Sequence, residues 1–251
     1  MGDDIRFNMT FLKGQNELIL KAKSIPHYSL LAKRILERNS FVMATVSGER
    51  QIGKSMYMML VLYDLFRNWD VVFEHIFYTI DDLVDYLIKA RETGLRDVAI
   101  GVDDAGIYFG ANQWSINREG VVLISNVFDT IGTVSKGAIF TLPNSGNLIK
   151  NIRVSEAIVD IRIRQGRGQY DRQAYAYIHR KTPKDQDMVT KEFIENYDVR
   201  IPEVVYERYA KLRDSYSADT LQKMKDYMEG ESEGVFKDGR GKKFTTIEVP
   251  D

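Results

Sequence analysis

One stretch of the chain combines two glycines, a lysine and a serine at a spacing that suits phosphate binding. Gly48 is followed after four residues by Gly53, Lys54 and Ser55. Glycines at these positions let the backbone curve into a nest whose N–H groups point at phosphate oxygens. The lysine can reach the β- and γ-phosphates, and the serine hydroxyl can ligate Mg²⁺. The predicted nucleotide-binding residues are Gly48, Glu49, Arg50, Gln51, Ile52, Gly53, Lys54, Ser55 and Met56.

The sequence on either side of these residues is typical of a phosphate-binding P-loop. An apolar, β-favouring run from Phe41 to Val46 precedes Gly48, and a helix-forming sequence follows Lys54. The order strand, glycine turn, helix is the setting in which this motif works, because the helix directs the positive end of its dipole at the bound anion. A glycine turn that only caps a helix is the alternative.

A pair of acids follows a second apolar strand, predicted over Asp97 to Val102. Asp103 and Asp104 resemble a Walker B pair, in which the first acid orients a Mg²⁺-bound water and the second polarises the attacking water. We therefore predict that Asp103 and Ser55 hold the metal and that Asp104 is catalytic. The second acid is commonly glutamate, and aspartate is one methylene shorter.

Polar residues also follow the next predicted strand, Ala138 to Leu142. P-loop ATPases of the AAA+ and RecA types place a γ-phosphate sensor at the tip of this strand. Thr141 is the first choice for this role and Asn144 the second. A turn over Pro143 to Gly146 is compatible with either choice.

Two alternating runs, 155–164 and 173–180, predict a long β-hairpin at the edge of the sheet. Its basic residues, interleaved with tyrosines, have three interpretations. They bind nucleic acid; or Arg153, Arg162 or Arg164 is an arginine finger toward a neighbouring subunit; or the charges protect an edge strand from aggregation. The nucleic-acid candidates are Arg162, Arg164, Arg167, Arg172, Arg180 and Lys181.

The remaining patterns complete an α/β fold. We expect a P-loop NTPase with a mainly parallel sheet flanked by helices, an edge β-hairpin and a small C-terminal helical part. The core takes residues 1–182, two short helices that meet at Ser217 lie within 183–230, and a tail spans 231–251. Further predicted elements are an N-terminal hairpin over 5–20, a strand over 71–78, a loop over 107–117, a short helix over 148–153 and a strand over 244–249.

Composition sets limits on the class of protein. The 251 residues are 44% hydrophobic and 28% charged, and no apolar run is long enough to cross a bilayer. The absence of cysteine excludes disulfides and thiol catalysis. The first residues lack the pattern of a signal peptide, so we expect a cytoplasmic protein. A net charge of −1 means that nucleic-acid binding needs a local basic patch.

Several of these motifs together resemble the DnaA-like P-loop ATPases, of AAA+ type, of spindle-shaped archaeal viruses and plasmids. They are the P-loop, Asp103-Asp104-Ala105-Gly106, and Thr141-Leu-Pro followed by Leu148-Ile-Lys-Asn-Ile-Arg153, within a matching region from Phe41 to Arg153. The resemblance implies an oligomeric ATPase that uses ATP and Mg²⁺ in replication or handling of viral DNA. It also implies that Arg153 is a finger or sensor. A helix-turn-helix domain of the bacterial initiator type is not recognisable.

Three functions stay open from the sequence. The chain is a replication ATPase that remodels or moves DNA, a DNA-packaging or export motor, or a switch that binds ATP and hydrolyses it slowly or not at all. The run Asn-Lys-x-Asp, which marks guanine specificity, is missing, and this favours ATP over GTP.

Overall fold

The computed structural model describes residues 27–106, 118–144, 158–181 and 187–232. The described strands are β1 (Val42–Ser47), β2 (Ile76–Phe77), β3 (Asp97–Val102), β4 (Ser135–Leu142), β5 (Ile158–Gln165), β6 (Asp171–Lys181) and β7 (Asp187–Asp198). The described helices are α1 (Leu30–Glu37), α2 (Lys54–Phe66), α3 (Trp69–Glu74), α4 (Ile80–Thr93), α5 (Arg118–Val134) and α6 (Glu203–Ser232).

The strands form a seven-stranded sheet in the order β2-β3-β4-β1-β5-β6-β7. The first five strands in this order are parallel, whereas β6 and β7 continue the sheet in antiparallel fashion. Strand β4 lies between β1 and β3, with Ser47 opposite Leu142 and Val102 opposite Phe140. The carboxyl ends of these three strands therefore meet at one edge of the sheet. This architecture confirms the predicted P-loop NTPase fold class.

Helices cover both faces of the parallel strands. Every residue of β1, β3 and β4 is buried, as expected for parallel strands covered on both sides. On one face, Leu83 of α4 and Phe128 and Ile131 of α5 pack with residues of the sheet. On the other face, α1 approaches β4 so closely that a Cβ on Gly137 would lie 2.9 Å from Ile35 Cγ2. The sheet is thus a rigid support for the loops at its carboxyl edge.

Local signals fix the start of α2 and both ends of α4. Helix α2 begins directly after Gly53, which has φ 101°. Helix α4 begins where the hydroxyl of Thr79 accepts a hydrogen bond from the N–H of Asp82, at 3.1 Å, and it ends at Gly94, which has φ 66°. The predicted start and end of α4 are confirmed.

Residues 71–78 were predicted as a strand, and this prediction is confirmed only for Ile76–Phe77 and wrong for residues 71–74. The segment forms most of α3, then the two-residue strand β2. The side chain of Asn68 accepts a hydrogen bond from the N–H of Asp70 at 2.8 Å and so starts a helical turn. A short apolar run suits either a buried helix or a buried strand, and the cap decides between them here.

Residues after β6 differ from the prediction in two ways. Segment 187–198, which was included in the helical part, forms β7 and pairs with β6 along its length. One helix of 30 residues, α6, replaces the two short helices. Ser217 was taken as the start of a second helix, but no proline or glycine interrupts the sequence from Glu203 to Glu229 and the helix continues through it.

The chain divides into two compact units, residues 1–201 and 202–251, of which the first contains the sheet and the second contains α6. The predicted N-terminal hairpin, the loop 107–117, the short helix 148–153 and the strand 244–249 lie outside the described residues. Among the helices that the structure describes, none is both long enough and apolar enough to span a bilayer.

Candidate nucleotide-binding site

The backbone between β1 and α2 adopts the conformations that a phosphate nest requires. Gly48, Gln51 and Gly53 have φ of 151°, 61° and 101°. At Gly48, a Cβ would lie 3.0 Å from the carbonyl oxygen of Ile163 in β5, so a larger residue would be strained and crowded. The sequence prediction that both glycines are needed for backbone geometry agrees with these angles.

The side chain of Lys54 lies against the start of the same loop. Its Nζ donates hydrogen bonds to the carbonyl oxygens of Gly48 and Glu49, at 3.1 Å and 2.7 Å. The ammonium group is therefore held beside the loop whose N–H groups it complements. A positive charge at a helix N-terminus adds to the attraction of that terminus for anions.

Ser55 and Asp103 come together although they belong to different elements. The Ser55 hydroxyl, in the first turn of α2, donates to Asp103 Oδ1 at 2.8 Å. A hydroxyl and a carboxylate are hard oxygen ligands of the kind that Mg²⁺ prefers, so the pair fits this ion. The described residues contain no group of three or more His, Cys, Asp or Glu side chains able to hold a metal. Water and phosphate oxygens would therefore supply the remaining ligands.

Thr141 contacts both predicted acids. Its hydroxyl donates to Asp103 Oδ1 at 2.5 Å and accepts a hydrogen bond from the N–H of Asp104 at 2.9 Å. The side chain is 0% exposed, because β4 lies between β1 and β3 and its end is enclosed by both. The structure thus places the predicted sensor in contact with both acids through its hydroxyl group.

Asp104 adopts an unusual backbone conformation. Its φ is 48°, in the left-handed region, which glycine adopts without strain and which costs a residue with a side chain free energy. The next residue, Ala105, donates its N–H to the carbonyl of Thr141 at 3.0 Å and so helps to hold the turn. Residues in this conformation cluster at functional sites, and the catalytic role of Asp104 stays a prediction.

Two further residues were predicted to belong to the site. Asn144 lies beyond the end of β4 and is exposed. Arg153 lies outside the described residues, so its role as a finger or sensor stays a prediction.

Two residues of the hairpin formed by β6 and β7 also contact the P-loop, and sequence reasoning missed this contact. Arg172 Nε donates to the carbonyl oxygen of Ile52 at 2.7 Å, and the Tyr197 hydroxyl donates to the carbonyl oxygen of Gly53 at 3.1 Å. The β-favouring residues between 187 and 198 are a signal that would have revealed β7. Its register against β6, and hence the contact, is not visible in the sequence.

A partly buried carboxyl group joins β7 to the helices. Glu195 accepts hydrogen bonds from the N–H of Leu30 at 2.7 Å and from the hydroxyl of Tyr57 in α2. Burial raises the pKa of the Glu195 carboxyl, although these two donors favour its charged form. Burial and the neighbouring carboxyl also raise the pKa of the Tyr57 hydroxyl, which therefore remains a donor.

The arginines predicted to bind nucleic acid are divided between the two faces of the hairpin formed by β5 and β6. Arg162 and Arg164 alternate with buried residues of β5, are exposed, and stack on Tyr177 and Tyr175, at 5.2 Å and 5.0 Å from the ring centroids. Arg162 also pairs with Asp160 at 3.1 Å. Arg172 lies on the opposite face and contacts the P-loop. It therefore does not share a surface with Arg162 and Arg164.

The remaining basic candidates lie in the turn after β5 and at the end of β6. Arg167 is exposed in the turn between β5 and β6. Arg180 and Lys181 end β6, and their side chains lie outside the described part of the structure.

Comparison with known proteins finds relatives in archaeal viruses. The chain is 20% identical over 230 residues, 85% of its length, to uncharacterized protein B-251 of Sulfolobus spindle-shape virus 1, of which the match covers 91%. It is 23% identical over 143 residues, 55% of its length, to uncharacterized protein ORF286 of Acidianus two-tailed virus, of which the match covers 50%. The viral part of the resemblance is thereby supported, whereas neither of these two relatives points to DnaA. No protein-family model matches the chain.

Solved structures give two further likenesses. The flagellar accessory protein FlaH from Methanocaldococcus jannaschii is 17% identical, with a TM-score of 0.34, and the match covers 64% of this chain and 95% of FlaH. The KaiC-like protein PH0186 from Pyrococcus horikoshii OT3 is 9% identical, also with a TM-score of 0.34, and the match covers 61% and 90% of the two chains. The class of this protein is defined by its own sheet and P-loop, which are those of a P-loop NTPase fold.

Proposed function

We propose that this chain is an ATPase that binds and hydrolyses ATP with Mg²⁺ at its P-loop. The observation that carries the proposal is the convergence of Ser55, Asp103 and Thr141. Their polar atoms form a chain of hydrogen bonds of 2.8 Å and 2.5 Å at the edge of the sheet where the P-loop lies. Such a constellation suits phosphoryl transfer, in which the protein positions the groups and stabilises charge.

Each residue of the site has a separate role in this proposal. The N–H groups of residues 48–56 and the ammonium of Lys54 bind the phosphates. Ser55 and Asp103 hold Mg²⁺, which when bound neutralises charge on the phosphate oxygens. Asp104 orients the attacking water and accepts its proton, and Thr141 holds both acids in place.

We also propose that the ATPase acts on DNA inside the host cell, in the replication of an archaeal virus or plasmid. The exposed Arg162 and Arg164 support a nucleic-acid surface, because guanidinium groups neutralise phosphates and their neighbouring tyrosines can contact bases. The viral relatives support the setting. A homo-oligomer would let an arginine of a neighbouring subunit complete the site.

Two alternatives remain within this framework. A DNA-packaging or export motor would use the same residues. An assembly switch that hydrolyses slowly or not at all is favoured by the short side chain of Asp104. Substitution of Asp104→Glu separates the switch from the motor: a large gain in turnover identifies the native site as a slow switch, and no gain shows that Asp104 is already well placed.

The proposal is tested by steady-state ATP hydrolysis with and without single- and double-stranded DNA. We expect turnover that Lys54→Ala abolishes and that the matched control Lys33→Ala, on the exposed side of α1, retains. Stimulation by DNA that disappears in Lys54→Ala supports action on DNA. Binding without turnover under any condition leaves only the switch, and absence of ATP binding contradicts the proposed function.

A further inference from the structure

The contact between the hairpin and the P-loop has a regular geometry. Arg172 of β6 and Tyr197 of β7 lie directly opposite each other in the antiparallel register. Opposite residues of neighbouring strands project on the same face of a sheet. Their acceptors, the carbonyl oxygens of Ile52 and Gly53, are also consecutive. A pair of adjacent donors therefore meets a pair of adjacent peptide groups.

These two carbonyls control the direction of the N–H groups that follow them. A trans peptide group is planar, and its C=O and N–H point in opposite directions. The carbonyl of Ile52 belongs to the peptide group that carries the N–H of Gly53. The carbonyl of Gly53 belongs to the one that carries the N–H of Lys54. Arg172 holds the Ile52 carbonyl on the hairpin side and so turns the N–H of Gly53 away from the hairpin. Tyr197 reinforces the direction of the Gly53 carbonyl, which also accepts a hydrogen bond from the N–H of Tyr57 in α2 at 3.0 Å.

We propose that Arg172 and Tyr197 are positioning residues for the nucleotide phosphates. They hold the peptide groups Ile52–Gly53 and Gly53–Lys54 so that the N–H groups of Gly53 and Lys54 face the bound anion. This inference rests on the proposed function, since it assigns these two side chains to the same nucleotide site.

The surroundings keep the two donors in place. Arg172 Nη1 donates to the carbonyls of Gln169 and Asp171, at 2.9 Å and 2.8 Å, which fixes the plane of its guanidinium. Burial raises the pKa of the Tyr197 hydroxyl, so it stays a donor at neutral pH. Val199 is close enough that a Cβ on Gly53 would lie 2.7 Å from its Cγ1. The end of β7 is thus packed directly against the loop.

A charged donor also strengthens the peptide that it contacts. A guanidinium bound to a C=O polarises the whole peptide group and makes its N–H a better donor. The Arg172 contact should therefore contribute more to phosphate affinity than the neutral Tyr197 contact. Nucleotides with a β-phosphate should gain most, because a P-loop nest cradles that group.

The test compares nucleotide affinity in full-length variants. The dissociation constants of a fluorescent ADP analogue, and of pyrophosphate as its competitor, are measured for wild type, Tyr197→Phe, Arg172→Lys and Arg172→Gln. We expect both constants to rise about 3- to 10-fold for Tyr197→Phe. We expect about 10- to 100-fold for Arg172→Gln and partial recovery for Arg172→Lys, which keeps a charged donor.

Two controls match the substitutions in chemistry. Tyr63→Phe removes a hydroxyl from the ring that stacks on Trp69, and Arg91→Gln removes an exposed guanidinium at the end of α4. Both should bind as wild type does. Affinity is measured under conditions in which circular dichroism shows that every variant is folded. A loss of stability alone then does not change the measured dissociation constant. Pyrophosphate has no nucleoside, so an equal loss of affinity for ADP and for pyrophosphate assigns the loss to phosphate binding.

Each outcome has a separate meaning. Dissociation constants for Tyr197→Phe and Arg172→Lys equal to those of wild type overturn the positioning role and leave the proposed function intact. If Arg172→Gln does not fold, the two milder variants still decide the question. If wild type binds no better than Lys54→Ala, the proposed function fails and this inference fails with it.

Discussion

The hydroxyl of Thr141 contacts both predicted acids at once. It donates to Asp103 and accepts from the N–H of Asp104, while Asp103 also receives the hydroxyl of Ser55. A carboxylate that accepts two hydroxyl donors has a fixed orientation, which a metal ligand needs. We therefore expect Thr141 to position Asp103 and Asp104, and its role as a γ-phosphate sensor stays a prediction.

Substitution of Thr141→Val tests this role. We expect ATP turnover to fall about 10- to 100-fold, because hydrogen bonds to charged groups are worth roughly 1.5–3 kcal/mol. Thr141→Ser keeps the hydroxyl and should retain most of the activity. The measurement is kcat at saturating ATP and Mg²⁺.

Thr133→Val, which removes a hydroxyl donor from α5, is the control and should leave kcat unchanged. Full activity in Thr141→Val would contradict the positioning role. Asp104, by contrast, is placed by its own strained backbone as well as by Thr141.

Helix α2 depends on the backbone of the residue before it. Gly53 has φ 101° and Gly94, at the end of α4, has φ 66°. Around Gly94 nothing lies within 4 Å of an added Cβ, whereas at Gly53 the Cβ would lie 2.7 Å from Val199 Cγ1. The two sites share the conformational cost of a non-glycine residue but differ in space.

The expected effects of alanine differ accordingly. Gly94→Ala should lower the free energy of unfolding by about 1–2 kcal/mol and leave nucleotide binding unchanged. Gly53→Ala should lower it further and weaken ATP binding, because β7 and the P-loop are pushed apart. Urea unfolding and ATP titration measure the two effects. Equal losses of stability and unchanged ATP affinity would show that the contact with Val199 is unimportant.

The predicted DNA contacts lie on the exposed face of the hairpin formed by β5 and β6. Arg164 stacks on Tyr175, and Arg162 is shared between Tyr177 and Asp160. If each guanidinium neutralises one phosphate, Arg164→Gln should weaken DNA binding for all sequences. It should also reduce the slope of log K against log salt by about 0.7–0.9. Fluorescence anisotropy over a salt series measures both quantities, with Arg91→Gln as the control. An unchanged slope would contradict the predicted DNA contact of Arg164; β5 lies between β1 and β6, so its charges do not protect an edge strand.

The sequence predicted those elements whose signals are local. The P-loop, the acids after β3 and the cap of α4 depend on neighbouring residues, and each was found by its spacing. The contacts of Arg172 and Tyr197 join residues 120 and 144 positions apart, through the register of β6 and β7. Since shifting a strand by one residue turns its side chains to the other face, composition alone does not show which arginine faces the P-loop.

At the scale of the whole molecule, a buried ion pair connects α3 with the start of β3. His75 Nε2 lies 3.1 Å from Asp97 Oδ1, and both side chains are almost fully buried. No donor other than His75 among the described residues reaches the Asp97 oxygens, so the imidazole supplies the charge that compensates them. His75 Nδ1 lies 2.7 Å from the carbonyl of Val71. Acceptors on both sides favour the doubly protonated ring.

This pair makes global stability depend on pH. Burial lowers the pKa of His75, but Asp97, the Val71 carbonyl and Glu74 outweigh it, and the folded pKa is raised above 6.5. The folded state therefore binds the proton more tightly than the unfolded state. The resulting stability is fully present below pH 6.5 and is lost as pH rises through the folded pKa. Urea unfolding between pH 5.5 and about 9 should show this decline.

Two variants assign the decline to the pair. His75→Gln leaves Asp97 buried without a charged partner, so it should lower the free energy of unfolding by about 3–5 kcal/mol at pH 6 and remove the decline. His179→Gln, at a half-exposed position 3.7 Å from Asp160, should keep the decline. Persistence of the decline in His75→Gln would show that another group binds the proton. If instead only His75→Gln abolishes it, the ion pair at the amino end of β3 accounts for the loss of stability at high pH, at the end of the strand opposite to Asp103 and Asp104.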